Sequence, residues 1–356
     1  MTTRRGFIAS LLAAGAAPRL GWAAAGNPSY LAAARDTGGQ HALYGLDRAG
    51  GLRFRVPLPA RGHAGAGHPQ LAEAVAFARR PGRFALVIDC ATGIVRHKLT
   101  PPPGRHFNGH GVFAQDGALL LTAEQASADS AGIIGLWDVA AGYVRAGEWA
   151  TGGVGPHDIR LMPGGAALAV ANGGIATDPE DRTKLNIATM RPNLAYLDLA
   201  GRAQEIVELD TDLHRNSIRH LAVRGDGLVG FAMQWEGEPG AAPPLLGLHR
   251  RGAAPVLAEA PLADEIAMQG YAGSIAFAGA GDDIAITSPR GGRLHRFDAT
   301  GAFRGAVSRS DICGLAPLGD GYLASDGLGG LLAIGPDGAR PLARHGCAWD
   351  NHIVAL

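Results

Sequence analysis

The chain has 356 residues with 32 basic and 32 acidic side chains, a formal net charge of zero. That balance argues against nucleic acid or an anionic membrane surface as a partner. Fifty-four glycines and 22 prolines, in a chain that is 47% hydrophobic and 18% charged, suit a turn-rich, well-packed β protein rather than a helical one.

Residues 1–25 read as an export signal. Thr3-Arg4-Arg5-Gly6-Phe7-Ile8 matches the twin-arginine pattern, and an Ala/Gly-rich stretch runs on to about Ala17. Ala23-Ala24-Ala25 supplies the small residues a signal peptidase reads, so the mature chain is expected to start just after Ala25 and to work in the periplasm. An ordinary signal peptide with a chance arginine pair is the competing reading. The apolar run is too short for a stable membrane span.

From residue 26 onward one domain is expected, an all-β, seven-bladed β-propeller. Apolar runs end in turns of the form Asp-x(2–4)-Gly beginning at Asp47, Asp89, Asp138, Asp198, His249 (degenerate) and Asp298, and in the shortened Asp337-Gly338. Their closing glycines, Gly50, Gly93, Gly142, Gly201, Gly252, Gly301 and Gly338, lie 37 to 59 residues apart. A period of that size, with about three short strands before each turn, is the mark of propeller blades. Three strands near Tyr30, Ala42 and Leu52 have no inner strand ahead of them, and one strand, Ile353-Val354-Ala355-Leu356, follows His352 with no blade after it. Pairing the C-terminal strand with the N-terminal three closes the last blade and protects its edges. An eight-bladed ring or a sandwich is the alternative. The longest excursion, Asn172 through Pro192 in blade three, should cover the face where the inner strands begin.

Aligning the blades lines up the residue expected to open each inner strand: His63, His110, His157, His220, Ser274, Cys313 and His352. With 13 histidines in the chain, five at seven equivalent positions is a strong departure from chance. In a propeller these residues line the axis, so a histidine ring at one mouth of the central channel is expected. Neutral imidazole ligates iron, copper and zinc, and a bound ion offsets the repulsion of clustered, protonated rings. The candidate ligands are therefore His63, His110, His157, His220, His352 and, as a soft donor, Cys313. His106, Asn108, Asp158, Glu124, Asn172, Gln234, Glu236, Asp326, Asp350 and Asn351 are candidates to complete or support the site. Arg79, Arg80 and Arg105 are candidates to meet an anion at the same mouth. Two other readings stay open: histidines that only brace the channel by bonding neighbouring backbone, and a pocket for an organic ligand. Cys313 and Cys347 fall near inner-strand starts of neighbouring blades and are candidates for one disulfide, with Cys90 left over. No Gly-x-Ser-x-Gly elbow, phosphate loop, Cys-x-x-Cys or Cys-x-x-Cys-His occurs, which excludes attached c-type haem.

Several strings carry a family resemblance. Arg105-His106-Phe107-Asn108-Gly109-His110-Gly111-Val112-Phe113, Gly155-Pro156-His157-Asp158 and Val170-Ala171-Asn172-Gly173-Gly174-Ile175 are the most telling. Leu185 through Pro192, Arg219-His220-Leu221 and Trp349-Asp350-Asn351-His352 add to them. Over nearly the whole mature chain the sequence resembles an exported bacterial propeller family, domain of unknown function 1513. The resemblance implies iron-linked work in the periplasm beside imelysin-like iron-uptake proteins and a di-haem peroxidase-like protein. It implies no reaction. Metal binding in iron acquisition or handling is the leading expectation, with iron ahead of copper or zinc. An interaction scaffold for such a system is the second, and a metal-dependent oxidoreductase or lactonase-like enzyme the third.

Overall fold

In the computed structural model, which describes residues 20–79 and 82–356, seven four-stranded antiparallel sheets are arranged as blades around an axis. The twin-arginine segment and Arg80 lie outside the described residues. The inner strands of blades one to six are Gly62–Gly67, Arg105–Ala114, Pro156–Leu161, Asn216–Val223, Ser274–Phe277 and Ile312–Leu318. Blade seven takes its inner strand, Cys347–Ala355, from the end of the chain and its other three, Tyr30–Asp36, His41–Leu46 and Leu52–Leu58, from the beginning. Tyr30 pairs with Ala355 and Asp36 with Cys347 across that closure.

The turns follow from local chemistry. All seven closing glycines have positive φ, from +74° at Gly93 to +110° at Gly338, a conformation that side-chain-bearing residues adopt only at a cost. The aspartate that opens the turn accepts from backbone N–H groups ahead of it: Asp47 from Ala49 and Gly51, Asp198 from Ala200 and Arg202, Asp298 from Thr300 and Ala302. At the degenerate turn His249 is committed elsewhere, to the Tyr196 hydroxyl (2.7 Å) and the Ala253 carbonyl (2.9 Å). There the Gly252 N–H donates instead to the Glu205 carboxylate of the preceding blade (3.0 and 3.1 Å).

No single central core exists. Buried apolar side chains form seven clusters, one in each gap between neighbouring blades. Phe77, Phe107, Phe113 and Trp137 fill the gap between blades one and two, for example, and Tyr44, Trp349, Ile353 and Leu331 the gap between blades seven and six. Each sheet is therefore covered on both faces, and its middle strands are buried along their length: His41–Leu46 is interior from Ala42 onward, and Glu73–Ala78 from Ala74 onward. Outer strands such as Ala203–Glu208 alternate or lie exposed.

Cys90, Cys313 and Cys347 are free thiols, so the expected Cys313–Cys347 disulfide is not formed. Cys313 packs in the cluster between blades six and seven, its sulfur near the Ser325 hydroxyl and the Asp350 carbonyl (3.4 Å each). Burial pushes its thiol up to about 12. The expected cleavage point after Ala25 lies at the end of a short 3-10 turn, Trp22–Ala25, whose indole N–H donates to the His68 carbonyl (2.9 Å) and whose Ala25 is buried against blade one.

Trp349 tests how tightly the closing strand is clamped. Its ring is 4% exposed and meets Tyr44 edge-on at 5.3 Å. Trp349→Ala is expected to cost about 3–5 kcal/mol in urea unfolding; a loss below about 1 kcal/mol would mean the closing strand packs loosely.

Candidate metal centre

Five inner strands deliver a histidine to the axis, and a break in strand register does the aiming. Pairing slips between Gly62 and Gly65, between Phe107 and Gly111, between Pro156 and Asp158, and between Ile218 and His220. In blade seven the register shifts between Ala32 and Ala34, opposite Asp350–His352. His63, His110, His157, His220 and His352 sit in or beside these bulges, which turn a side chain out of the pleat. In blades two, four and seven the inner strand starts several residues before its histidine, at Arg105, Asn216 and Cys347. Expecting the histidines to open their strands was therefore too simple, because pairing resumes on the far side of each bulge.

The rings form a closed cycle. Centroids lie 5.0 Å apart for His63–His110, 5.0 Å for His110–His157, 4.7 Å for His157–His220, 4.7 Å for His220–His352 and 4.6 Å for His352–His63. His110 also lies 5.8 Å from His220 and 4.8 Å from His352, so it touches all four others and is the hub of a puckered cluster. Blades five and six contribute only Ser274 and Cys313 at the equivalent positions, and the histidines of blades four and seven meet across that gap. Gly109 makes room for the hub: at φ +96° its missing Cβ would stand 2.5 Å from the His63 ring.

All five rings are buried, between 2% and 7% exposed. His110 Nδ1 contacts Asp158 Oδ1 at 3.1 Å, and this carboxylate also accepts from the backbone N–H groups of Ile159 (2.9 Å) and Leu221 (3.0 Å). The Nδ1 proton is thereby held toward Asp158, and the Nε2 lone pair of His110 faces the cluster without a hydrogen-bond partner. His220 Nδ1 and His352 Nε2 are likewise buried and without a hydrogen-bond partner, whereas His63 Nδ1 faces Asp350 Oδ1 at 3.9 Å. Two trios bring one nitrogen each to within 4.8 Å of the others: His63, His110 and His352, and His110, His157 and His220. Three imidazole nitrogens this close together form a donor set that could hold a transition-metal ion.

The electrostatics favour the neutral form of His63, His220 and His352. Burial pushes His63 down to about 4, against the opposing pull of Asp350, with His110 and Arg79 adding to the depression. Burial also drives His220 and His352 well below the ordinary value, and neighbouring histidines push the same way. For Asp158 burial works to raise the carboxyl, but Arg160, His110 and His220 outweigh it and hold it below the usual carboxylate range. Asp350 is held low in the same way by His63 and Arg61, the latter bonded at 2.5 Å.

The other expected residues divide into two groups. Asp158 and Asp350 stand behind His110 and His63, and the Asn108 amide donates to the Pro156 carbonyl (2.6 Å), tying blade two to the strand that carries His157. Gln234, Glu236, Asn351 and Arg79 line a cavity of about 180 Å³ that has His63, His157 and His220 at its floor. The remainder serve their own blades. Glu124 is buried against Arg145 (2.6 and 3.0 Å) and Thr122. Asp326 caps its turn through Leu328 and Gly330 and binds Arg309. Asn172 bonds Thr151 and Asn193, Arg105 pairs with Glu148, and neither Cys313 nor the buried His106 belongs to a trio. Such polar residues close blade ends, and sequence alone does not separate them from axial ones. The excursion after Asn172 does cover the ring: Ile175, Thr177, Arg182 and Lys184 line the small cavity. Residues that sequence reasoning missed there are Arg182, Lys184, Arg219, Tyr271 and Arg290; Arg219 immediately precedes an expected ligand, which was the available signal. A second cavity of about 630 Å³, lined largely by apolar residues such as Val112, Ile275, Leu315 and Ile353, reaches His220 and His352 from the other side. The cluster is therefore recessed between two cavities rather than set at one mouth.

A family model described as "Protein of unknown function (DUF1513)" matches residues 56–356. No curated protein matches the sequence. Among solved structures, hydrazine synthase from Kuenenia stuttgartiensis is similar with a TM-score of 0.60 at 14% identity, over 87% of this chain and 90% of that one. A chain of the mitotic checkpoint complex is similar with a TM-score of 0.56 at 12% identity, over 78% and 75%. At these identities the likeness concerns the fold alone.

The depressed imidazoles carry a pH signature. A histidine whose folded value lies below its unfolded 6.5 binds fewer protons when folded, so its stabilisation is full above pH 6.5 and lost as pH falls toward the folded value. His63 alone, at about 4, corresponds to roughly 3 kcal/mol. Chelator-stripped protein unfolded in urea at stepped pH should lose stability steeply between about pH 6.5 and 4. A flat profile there would contradict buried neutral imidazoles.

Proposed function

We propose that this chain, which belongs to the DUF1513 family of proteins of unknown function, is a metal-binding propeller whose axial histidines hold one transition-metal ion. The observation that carries this reading is the pair of imidazole trios that share His110, together with the buried nitrogens of His110, His220 and His352 that have no hydrogen-bond partner. An unpartnered buried polar atom costs about 1–3 kcal/mol, and each trio holds two of them, His110 with His352 or His110 with His220, which one ion would satisfy together. The second coordination layer supports it: Asp158 orients His110 as carboxylates orient metal-bound histidines elsewhere.

One ion, not two, follows from the hub. Both trios need His110, and its Nδ1 is turned to Asp158, so only Nε2 is available to ligate. The trios are alternative seats that share one nitrogen. Neutral imidazole donors suit iron, copper and zinc. Our reading is iron, handled or acquired in the periplasm after export by the twin-arginine route, with imelysin-like or di-haem peroxidase-like proteins as partners; the twin-arginine pattern and the family resemblance support it. Among the described residues that line the small cavity, Glu236 is the one carboxylate, and it is tied to Lys184 and Arg219. The site thus offers ligands rather than a free acid–base pair, which favours binding over catalysis.

The test is elemental analysis and calorimetric titration of untagged mature protein. One ion per chain is expected, lost in His110→Ala/His157→Ala, with Asp158→Asn weakening affinity by about 10–100-fold. His63→Ala and His157→Ala, made singly, show which seat the ion takes. Unchanged stoichiometry in the double variant sinks the reading.

A further inference from the structure

The small cavity over the histidines has a charge pattern that metal binding does not explain. Arg79, Arg182, Lys184, Arg219 and Arg290 line it, from four different segments, against the single carboxylate of Glu236. Glu236 is already shared between the Lys184 ammonium and Arg219, the latter at 3.8 Å. Among the described residues no carboxylate lies within ion-pairing distance of Arg79, Arg182 or Arg290. Asp350, on the closing strand close by, is engaged by Arg61.

Gathering like charges around an enclosed space is unfavourable, more so where the dielectric is low. Arg219 shows that the arrangement is built rather than incidental. It is 4% exposed, lines the cavity, and its Nε has no hydrogen-bond partner. Arg290 is fixed by stacking on Tyr271, 4.3 Å from the ring centroid, and the Tyr271 hydroxyl accepts from the Asn351 amide (3.3 Å). Arg182 is presented by the long excursion of blade three from a backbone at φ +70°.

We propose that this basic cavity binds a small, multiply charged oxyanion, held by Arg219, Arg79, Arg182 and Arg290 directly above the histidine cluster. Guanidinium forks match paired oxygens, which selects phosphate-like or polycarboxylate groups over a simple halide. At about 180 Å³ the cavity holds a ligand the size of a few water molecules, not an extended chain. The site stands whether or not the imidazoles carry a metal ion. It is therefore tested on protein stripped over an immobilised chelating resin, since a soluble polycarboxylate chelator would itself compete.

Inorganic phosphate and citrate are titrated separately into the stripped full-length mature protein at low ionic strength, with acetate as the singly charged control. Binding of phosphate alone or of citrate alone supports the site and names its class. Binding of both supports the shared chemistry. In each case acetate should bind much more weakly, and Arg182→Ala/Arg290→Ala should weaken the favoured anion by about tenfold or more. Arg219→Gln should do the same; if that buried change prevents folding, the double variant carries the test. The proposal is overturned if neither anion binds at millimolar concentration, if acetate binds equally well, or if the folded double variant binds as the parent does. Metal stoichiometry is measured on separate samples, so a failure of the metal reading remains distinguishable from a failure here.

Discussion

The pairing of Cys347–Ala355 with Tyr30–Asp36 is the contact on which the rest of the molecule depends. It turns six blades and a three-stranded remnant into a closed ring, removes two open sheet edges, and completes the seventh apolar cluster. The same strand carries Trp349, which clamps the closure, Asp350, which stands behind His63, and His352, which closes the cycle of imidazoles. Stability and the candidate site share this segment. Because packing energy resides in seven gaps between blades, the axis is free to hold polar groups at no loss to the apolar clusters.

What those polar groups do is set by small departures from ideal strand geometry. A regular inner strand would alternate its side chains between the two neighbouring gaps. The bulges at His63, His110, His157, His220 and His352 break that alternation and direct imidazoles to the centre. Gly109 then permits the His63 ring to approach the hub, and Asp158 chooses which nitrogen of His110 faces inward. Burial keeps His63, His220 and His352 neutral, the form in which an imidazole can ligate without first shedding a proton.

Much of this was legible in the sequence because turns carry their own chemistry. Asp-x-x-Gly turns need positive φ at the glycine, so Gly50, Gly142 and Gly301 mark blade ends even where the strands between them are too apolar to distinguish from buried helix. Aligning on those turns is enough to find the five histidines. Bulges leave no comparable mark, so the inner strands of blades two and four begin earlier than their histidines suggest. Polar residues on second strands were not separable either: Glu124 and Asn172 look like Gln234 and Glu236 in sequence, but the first two bond within their own blades or the next, while the latter pair lines the cavity. Arg79 apart, the basic character of the cavity was hidden because its arginines are scattered through four segments and converge only in the folded ring.

The hub arrangement also fixes an order of assembly. His110, His157 and His220 come from three consecutive blades, so their trio depends on contacts between neighbours in the chain. The trio of His63, His110 and His352 depends on joining strands from opposite ends of the described chain, the contact with the largest loop to close and the slowest to form. During folding, then, one seat is complete while the ring is still open and the other exists only once it has shut. The two candidate seats therefore differ in what they require of the fold: one needs only blades two to four, the other the closed ring.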